Sequence, residues 1–408
     1  MLRHQIFPFR KYSNCFGSKD YIGHRRRTLA NTSNNTINSY TLHMQTMQKS
    51  YFYDIAIVSM SPVWFTYFTS PREIYCHSTN TSILVRKAID DEDIITRADI
   101  LIFSTQFNRV YNWTKFQRLR HSEQLWVYTT EESPFTSLKM YPPVNMNIHF
   151  NLSYTYHREA DISVPYGQFI PFNLEKQVSD VTSYFHKKTK LIVWVSSHCS
   201  FTQMWRRSDF AYDLAKYLPL DMYGSCGNLD CPRKEFSKCV KMFKTYKFYL
   251  SIENSCCEGY ITEKFWTALT HLETIPVVVG APKKDYEQIV PKKSFIHADD
   301  FGSMKELAEY ILKVSKSDEM YNSYFEWKRL GETTMNQIYH ILAFNDPGVC
   351  KLIEYVKSSS AASLAATSFD PYGPNWFSGC NKCSEQMWLR NYSNLNYDLI
   401  MKRLTARI

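Results

Sequence analysis

Short runs of β-branched and aromatic residues alternate along this chain with segments whose apolar positions recur three and four residues apart. Asp54-Ile-Ala-Ile-Val-Ser-Met, Ala98-Asp-Ile-Leu-Ile-Phe-Ser and Leu125-Trp-Val-Tyr are apolar runs bounded by polar segments, as strands buried on both faces of a parallel sheet require. Leu191-Ile-Val-Trp-Val-Ser opens a second series, followed by a helix through Phe210, Ala211, Leu214 and Leu218 and a strand at Leu220-Asp-Met-Tyr-Gly. Lys234 to Tyr246 reads as a helix feeding a strand at Phe248, Tyr249, Leu250 and Ile252, and Asn254 to Gly259 as a polar, glycine-ended loop. Thr262 then starts a helix with Phe265, Trp266, Ala268 and Leu269 on its apolar face, and Ile275 to Val279 is the next buried strand. Further helices are expected over Asp285 to Val290 and Ser303 to Val314, around a Phe295-Ile-His strand, and over a long region from Asp318 to Leu342. The repeated order of strand, helix and strand predicts an α/β protein with two Rossmann-like halves.

Polar stretches divide the chain. Met1 to Ser50 is rich in Asn, Ser, Thr and Arg without periodicity and reads as a disordered stem or leader. It holds no apolar run near the ~20 residues a membrane span needs, and no signal-peptide core. Gln168 to Lys190, with a short amphipathic helix and the basic stop His186-Lys-Lys-Thr-Lys, reads as a domain junction, and the Ser/Ala-rich Ser358 to Thr367 as a linker. The expected division is therefore 1–50, an α/β domain over 51–170, a Rossmann-like domain over 171–345, and a cysteine-bearing tail over 346–408.

Composition narrows the classes. With 408 residues, 44% of them hydrophobic and 16% aromatic, most of the chain can bury two cores. The net charge of +9 is scattered, and His24 to Arg27 is the only compact basic run, so a nucleic-acid groove is not indicated. No G-x-G-x-x-G occurs, which disfavours a dinucleotide enzyme. Eleven cysteines fit no zinc spacing: Cys380 and Cys383 form one C-x-x-C arm without a second pair, and Cys226 and Cys231 a C-x-x-x-x-C. Disulfides in an oxidising lumen are expected instead, with Cys380 or Cys383 tied to an upstream cysteine and one thiol left over. Sequons at Asn31, Asn34, Asn80, Asn112, Asn151 and Asn391 agree with a secretory route. Asp90, Asp91, Glu92 and Asp93 contain a D-x-D spelling, but no strand delivers it, and it reads as a solvated helix start or loop.

Three places carry candidate chemistry. Glu131, Glu132, Ser133 and Pro134 follow the Leu125 strand at its carboxyl end, where this topology builds a site rim. Arg206 and Arg207 stand at a helix entrance, where a guanidinium can hold a diphosphate bidentately or else lie along the surface. Glu263 and Lys264 share a helix's first turn, either to grip a ribose hydroxyl and a phosphate or as a solvated ion pair.

FYLSIENS, YITEKFW, IPVVVGAP and DYEQIVPKKSFIHADDF, in this order and spacing, resemble the donor-binding region of the α1,3-fucosyltransferases. The chain can be laid along that family from about Ile55 to about Tyr339, most clearly over Trp126 to Phe301. Glu132-Ser-Pro, six residues after Trp126, and the blocks His149-Phe-Asn-Leu-Ser-Tyr and Ala160-Asp-Ile-Ser-Val-Pro-Tyr-Gly match further family strings; Tyr156 to Asp161 departs from them. The resemblance implies a GT-B type fold, two Rossmann-like domains facing a cleft, the first on the acceptor side and the second binding GDP-fucose. It implies inverting transfer of L-fucose in α1,3 linkage to N-acetylglucosamine of glycoprotein glycans, with Glu132 as general base. Arg207 falls on the diphosphate ligand, Glu263 on the ribose ligand and Lys264 beside the phosphates; Asn254, Tyr249, Tyr223, Tyr166 and Ser197 complete the donor pocket by correspondence. It implies no metal or other required cofactor, a divalent ion being stimulatory at most, no nucleic-acid partner, and a type II protein of the Golgi lumen. A catalytically silent glycan- or nucleotide-binding protein of the same fold is the alternative. Tyr223 to Pro232 resembles the form found in invertebrate and plant members, some of which fucosylate the N-glycan core; core and peripheral N-acetyllactosamine acceptors both stay open.

Overall fold

The computed structural model describes residues 52–59, 70–88, 91–104, 112–137, 141–173, 183–199, 204–232, 236–335, 348–373, 376–380, 383–384 and 386–392. The stem expected over 1–50, the sequons at Asn31 and Asn34, and the helix expected within 168–190 where it spans 174–182 lie outside them. Seven strands form the first sheet: β1 (Phe52–Ser59), β2 (Arg72–Cys76), β3 (Thr81–Lys87), β4 (Ile100–Ser104), β5 (Leu125–Thr130), β6 (Leu152–Thr155) and β7 (Ile162–Ser163). Their order is β2-β3-β1-β4-β5-β6-β7, parallel except where β2 runs antiparallel along β3 at the edge. All five residues of β4 are buried, as are Trp126 to Thr130 of β5, so these strands read as continuous apolar runs rather than alternating ones. The β2 and β3 strands were not expected, because β2 alternates exposed Arg72, Glu73 and Tyr75 with buried Ile74 and Cys76.

After β8 (Gly167–Pro171), a second sheet collects β9 (Lys190–Val195), β10 (Leu220–Tyr223), β11 (Tyr246–Ile252), β12 (Ile275–Val279) and β13 (Ile296–His297). Its order is β10-β9-β11-β12-β13 and every pair is parallel. The α/β class with two parallel sheets is thus as expected. Strand order reverses between β9 and β11, so the loops leaving their carboxyl ends diverge and open a crevice, which is where doubly wound sheets bind ligands.

Two expectations are corrected. Asp318 to Leu342 is not one helical region: a short helix at Asp318–Ser323 and a turn at Glu326–Arg329 lead into β14 (Gly331–Met335), which pairs antiparallel with β8. Apolar residues at 320, 321, 324 and 325 stripe the short helix and its exit, but the helix does not continue into 331–335, where pairing with β8 decides the conformation. A side chain on Gly331 would come within 2.3 Å of the Ile170 carbonyl, so the pairing needs glycine there. Ser358 to Thr367 is not a linker either. Gly348–Ser358 and Ala361–Ala366 are helices, and Ser360 caps the second through the Ser363 N–H.

The tail is an integral part of the molecule. Cys350 is bonded to Cys76, and Tyr154 Oη donates to the Gly348 carbonyl at 2.7 Å, which seats helix Gly348–Ser358 on the first sheet. Further on, Cys380 pairs with Cys257 and Cys383 with Cys256, so both tail cysteines reach upstream as expected and clamp the loop after β11. Cys199–Cys226 and Cys231–Cys239 complete five disulfides among the described residues; Cys15 lies outside them. Of the acidic cluster at Asp90 to Asp93, Asp90 lies outside the described residues, and Asp91 caps helix Glu92–Arg97 by accepting the Ile94 N–H.

Candidate active site

Two loops meet at the carboxyl ends of the sheets. Glu131 and Glu132 leave β5, and Thr130 at its end and Ser133 beyond it steady the turn: Thr130 Oγ1 accepts the Glu132 N–H at 3.0 Å, and Ser133 Oγ accepts the Thr136 N–H at 3.2 Å. From the other side come residues 253–262, which follow β11. Ser133 Oγ donates to Ser255 Oγ at 2.7 Å, so the two loops are joined directly. Glu132 Oε2 accepts from Tyr260 Oη at 3.2 Å, and Asn254 Nδ2 lies 3.5 Å from the same oxygen. Burial raises the Glu132 pKa above the usual carboxylate range, and the Lys264 ammonium and the Asn254 bond work against that rise. Glu131 is half-buried rather than solvent-facing, and burial, with Glu132 and Glu263 nearby, pushes it up to about 8. Tyr166 Oη donates to the Glu131 carbonyl.

Lys264 is held by a residue that the sequence reading passed over. Glu253, fully buried at the end of β11, accepts the Thr262 N–H and hydroxyl at 2.8 Å each and pairs with Lys264 Nζ at 3.0 Å. Lys264 Nζ also reaches Thr262 Oγ1 at 2.8 Å and Glu263 Oε1 at 3.1 Å. Burial works against the ammonium, but Glu253 and Glu263 outweigh it and hold Lys264 above the usual lysine range. Gly280, at φ +152°, faces Glu253: a Cβ there would come within 2.9 Å of the glutamate Cβ. Trp205 Nε1 donates to the Glu253 carbonyl at 2.8 Å, closing the loop from the β9 side. The signal for Glu253 was present, since a carboxylate at the end of a wholly buried strand needs a partner, but the partner is nine to eleven residues away and invisible without the fold.

Arg207, buried, is the first residue of helix Arg207–Leu214, while Arg206 is the cap position and pairs with Asp209 at 2.9 Å. Its guanidinium donates to the His198 carbonyl at 3.0 Å and approaches the Ile252 carbonyl at 3.5 Å. Arg207 Nε, Asn254 Oδ1 and Tyr156 Oη are buried without a hydrogen-bond partner among the described residues. Buried polar groups are ordinarily satisfied, so the unpartnered Asn254 Oδ1, beside Glu132, and Arg207 Nε are open to a polar ligand. Burial opposes the Arg207 charge and Glu253, Glu263 and Glu132 support it, so cation and carboxylates sense one another.

Of the expected site residues, Glu132, Asn254, Tyr166, Arg207, Glu263 and Lys264 are thus brought to one crevice. Ser197 stands exposed on the loop after β9, beside Gly224. Tyr223 and Tyr249 lie in a second core with Phe243 and Tyr246, and the Tyr223 hydroxyl reaches Met242 Sδ and Tyr246 Oη. Among the described residues no group of three or more His, Cys, Asp or Glu is arranged to hold a metal ion.

Residues 61–167 match the fucosyltransferase N-terminal family model, and residues 185–369 match the glycosyltransferase family 10 (fucosyltransferase) C-terminal model. The chain belongs to glycosyltransferase family 10. Among its relatives, glycoprotein 3-alpha-L-fucosyltransferase A of Drosophila melanogaster is 36% identical over 245 residues, covering 59% of this chain and 46% of that protein. Alpha-(1,3)-fucosyltransferase fut-1 of Caenorhabditis elegans is 31% identical over 265 residues, 64% of this chain and 58% of that one. The chain spans about half the length of the curated relatives it matches. Among solved structures, an alpha1,3-fucosyltransferase crystallised with GDP-fucose aligns with a TM-score of 0.46 at 16% identity, over 80% of this chain and 95% of that one. In this family 10 chain, both loops of the crevice fall inside the matched regions.

Proposed function

We propose that the chain transfers L-fucose from GDP-fucose, in α1,3 linkage and with inversion, to N-acetylglucosamine of a glycoprotein glycan. The observation that carries this is that a half-buried carboxylate whose pKa is raised, Glu132, shares one crevice with a buried guanidinium, Arg207, whose Nε is unpartnered among the described residues. A single displacement needs a base for the incoming hydroxyl and positive charge for the departing diphosphate. Glu132 takes the hydroxyl proton as the oxygen attacks the anomeric carbon, and the fucose–phosphate bond breaks with its electron pair going to the diphosphate. Arg207 and Lys264 meet that charge, Lys264 held in place by Glu253. Glu263 holds the ribose, and Asn254, Tyr166, Ser197, Tyr223 and Tyr249 are assigned to the donor side by family correspondence. Residues 51–170 serve as the acceptor side and 171–345 as the donor domain, with the tail over 346–408 joining them. The Golgi lumen suits the five disulfides, which persist in oxidising compartments; no helix among the described residues is long and apolar enough to cross a membrane.

The test is calorimetry with GDP in EDTA, followed by turnover of GDP-fucose with core N-glycan and N-acetyllactosamine acceptors. Binding in EDTA and transfer to one acceptor class are expected. Affinity that vanishes with EDTA and returns with manganese would remove the metal-free donor site. GDP binding without transfer to any acceptor would leave a silent nucleotide-binding protein of the same fold.

A further inference from the structure

A cavity of about 390 Å³ opens next to the acceptor side of this crevice, with His157, Glu159, Asp161, Ser368, Asp370 and Trp376 among its walls. An aromatic relay connects it to the base. Tyr260, whose hydroxyl donates to Glu132, packs against Tyr156 at 5.1 Å between ring centroids, and Tyr156 packs against Trp376 at 5.5 Å. One wall comes from residues 153–161, which include the stretch that departs from the family pattern. The other comes from the tail and continues past residue 369, where the family match ends.

Its chemistry is that of a sugar site. Asp161 is fixed by accepting the Ser153 N–H at 2.8 Å and hydroxyl at 2.7 Å, and Asp370 by accepting the Tyr372 N–H at 2.9 Å, so both carboxylates are oriented. Oriented carboxylates accept from neighbouring hydroxyls, while an aromatic ring covers the C–H face of a pyranose. His157 is 8% exposed; its Nδ1 accepts the Glu159 N–H at 3.3 Å and its Nε2 has no hydrogen-bond partner among the described residues. No lysine or arginine lines the cavity among the described residues, and three carboxylates do, so a neutral ligand is favoured over an anionic one.

We propose that this cavity is a subsite for a neutral sugar of the acceptor oligosaccharide, distal to the N-acetylglucosamine that Glu132 activates. This rests on the fucosyl-transfer reading. Ser368→Trp fills the cavity from an exposed position, and Asp370→Asn removes its charge while keeping the oxygen that accepts the Tyr372 N–H. With the full chain, KM is measured for a branched, N-acetylglucosamine-terminated N-glycan, for a simple N-acetylglucosamine glycoside, and for GDP-fucose. Both variants are expected to raise KM for the branched acceptor about tenfold, the scale of one lost polar contact, and to leave the other two values unchanged. Fucose transfer with an unaltered ratio of the two acceptor KM values, or an equal rise for both acceptors, overturns the subsite and leaves the transferase reading standing. Titration of the branched glycan into Glu132→Gln, with and without Ser368→Trp, gives an independent readout. Binding that Ser368→Trp abolishes supports the subsite even if no transfer is seen, in which case the transferase reading falls alone. Absence of glycan binding overturns the subsite.

Discussion

The loop after β5 and the loop after β11 each leave the carboxyl end of a buried parallel strand with a glutamate, and the two glutamates are given different partners. Glu253 is given an ammonium, a hydroxyl and a backbone N–H, and two disulfides clamp the loop that follows it. Glu132 is given a tyrosine hydroxyl and a distant amide, and another glutamate stands beside it. Burial raises both carboxylates above the usual range and the Lys264 ammonium works against the rise in each; what differs is that Glu253 is bonded directly to Lys264 and Thr262, whereas Glu132 has only the two longer contacts. A base is useful when its anion is poorly compensated, and an electrostatic clamp when its cation is already oriented before the leaving group departs. The same residue type at the same topological position is thus given a bonded ammonium in one loop and none in the other by what the neighbouring elements deliver.

The sharpest way to break this comparison is Glu132→Gln, which keeps shape and removes basicity. It is expected to lower kcat by roughly 10²–10⁴ and to leave the GDP dissociation constant nearly unchanged, as transition-state proton transfer demands. Turnover close to wild type would show that the base lies elsewhere.

Glu253→Ala addresses the other loop. It leaves Lys264 without its buried partner, which is expected to cost about 3–5 kcal/mol of stability and to weaken GDP binding together with it. Urea unfolding and calorimetry read both quantities. Glu253→Gln, which can still accept from Thr262, should lie between this variant and wild type. An Ala variant as stable as the parent would mean that the pair organises nothing.

Glu131 sharpens the comparison through pH. Its folded-state pKa of about 8 lies above the ordinary 4.5, so the folded protein binds this proton more tightly than the unfolded chain. The resulting stabilisation is complete below about pH 4.5 and is lost as pH rises through about 8. Glu131→Gln should therefore gain stability relative to wild type across that window, as followed by unfolding midpoints, while Glu132 maintains part of the slope. Because Glu131 is largely protonated near neutrality, the variant is also expected to retain most activity. A dead Glu131→Gln enzyme with intact GDP binding would transfer the role of base from Glu132 to Glu131.

The smallest effect concerns an acidic cluster outside the crevice. Asp91→Ala removes a helix cap and should cost ~1 kcal/mol in thermal or chemical unfolding, with kcat and any response to manganese unchanged. Loss of metal response in this variant would return the D-x-D spelling to consideration as a ligand.

Much of the architecture was legible because parallel strands buried on both faces leave long apolar runs, as at Ile100 to Ser104 and Ile275 to Val279. Edge elements were not. Strand β2 mixes charges into its alternation, and β14 carries a helix-like spacing just before it, so each is defined by the strand it pairs with. Glu132 and Arg207 were legible as candidates only through the family resemblance; the carboxyl end of a strand and the start of a helix alone left a surface loop and a surface guanidinium open. Glu253 was not, because its meaning depends on Thr262 and Lys264 folding back over it.

By itself the sequence determined the class of the molecule, the positions of its central strands and the types of charged group that the loops carry, since these follow from local patterns of burial and turn chemistry. Tertiary structure alone decided which charges face one another. It brought Tyr260 and Asn254 to Glu132 across 128 and 122 residues of chain, tied Cys256 and Cys257 to a tail more than 120 residues on, and set Tyr156 and Trp376 in line between Tyr260 and the cavity beside the tail. Local preference extends over a few residues, whereas a carboxylate's basicity and a cation's partner are fixed by groups within a few ångströms in space, and only the packed sheets bring those together.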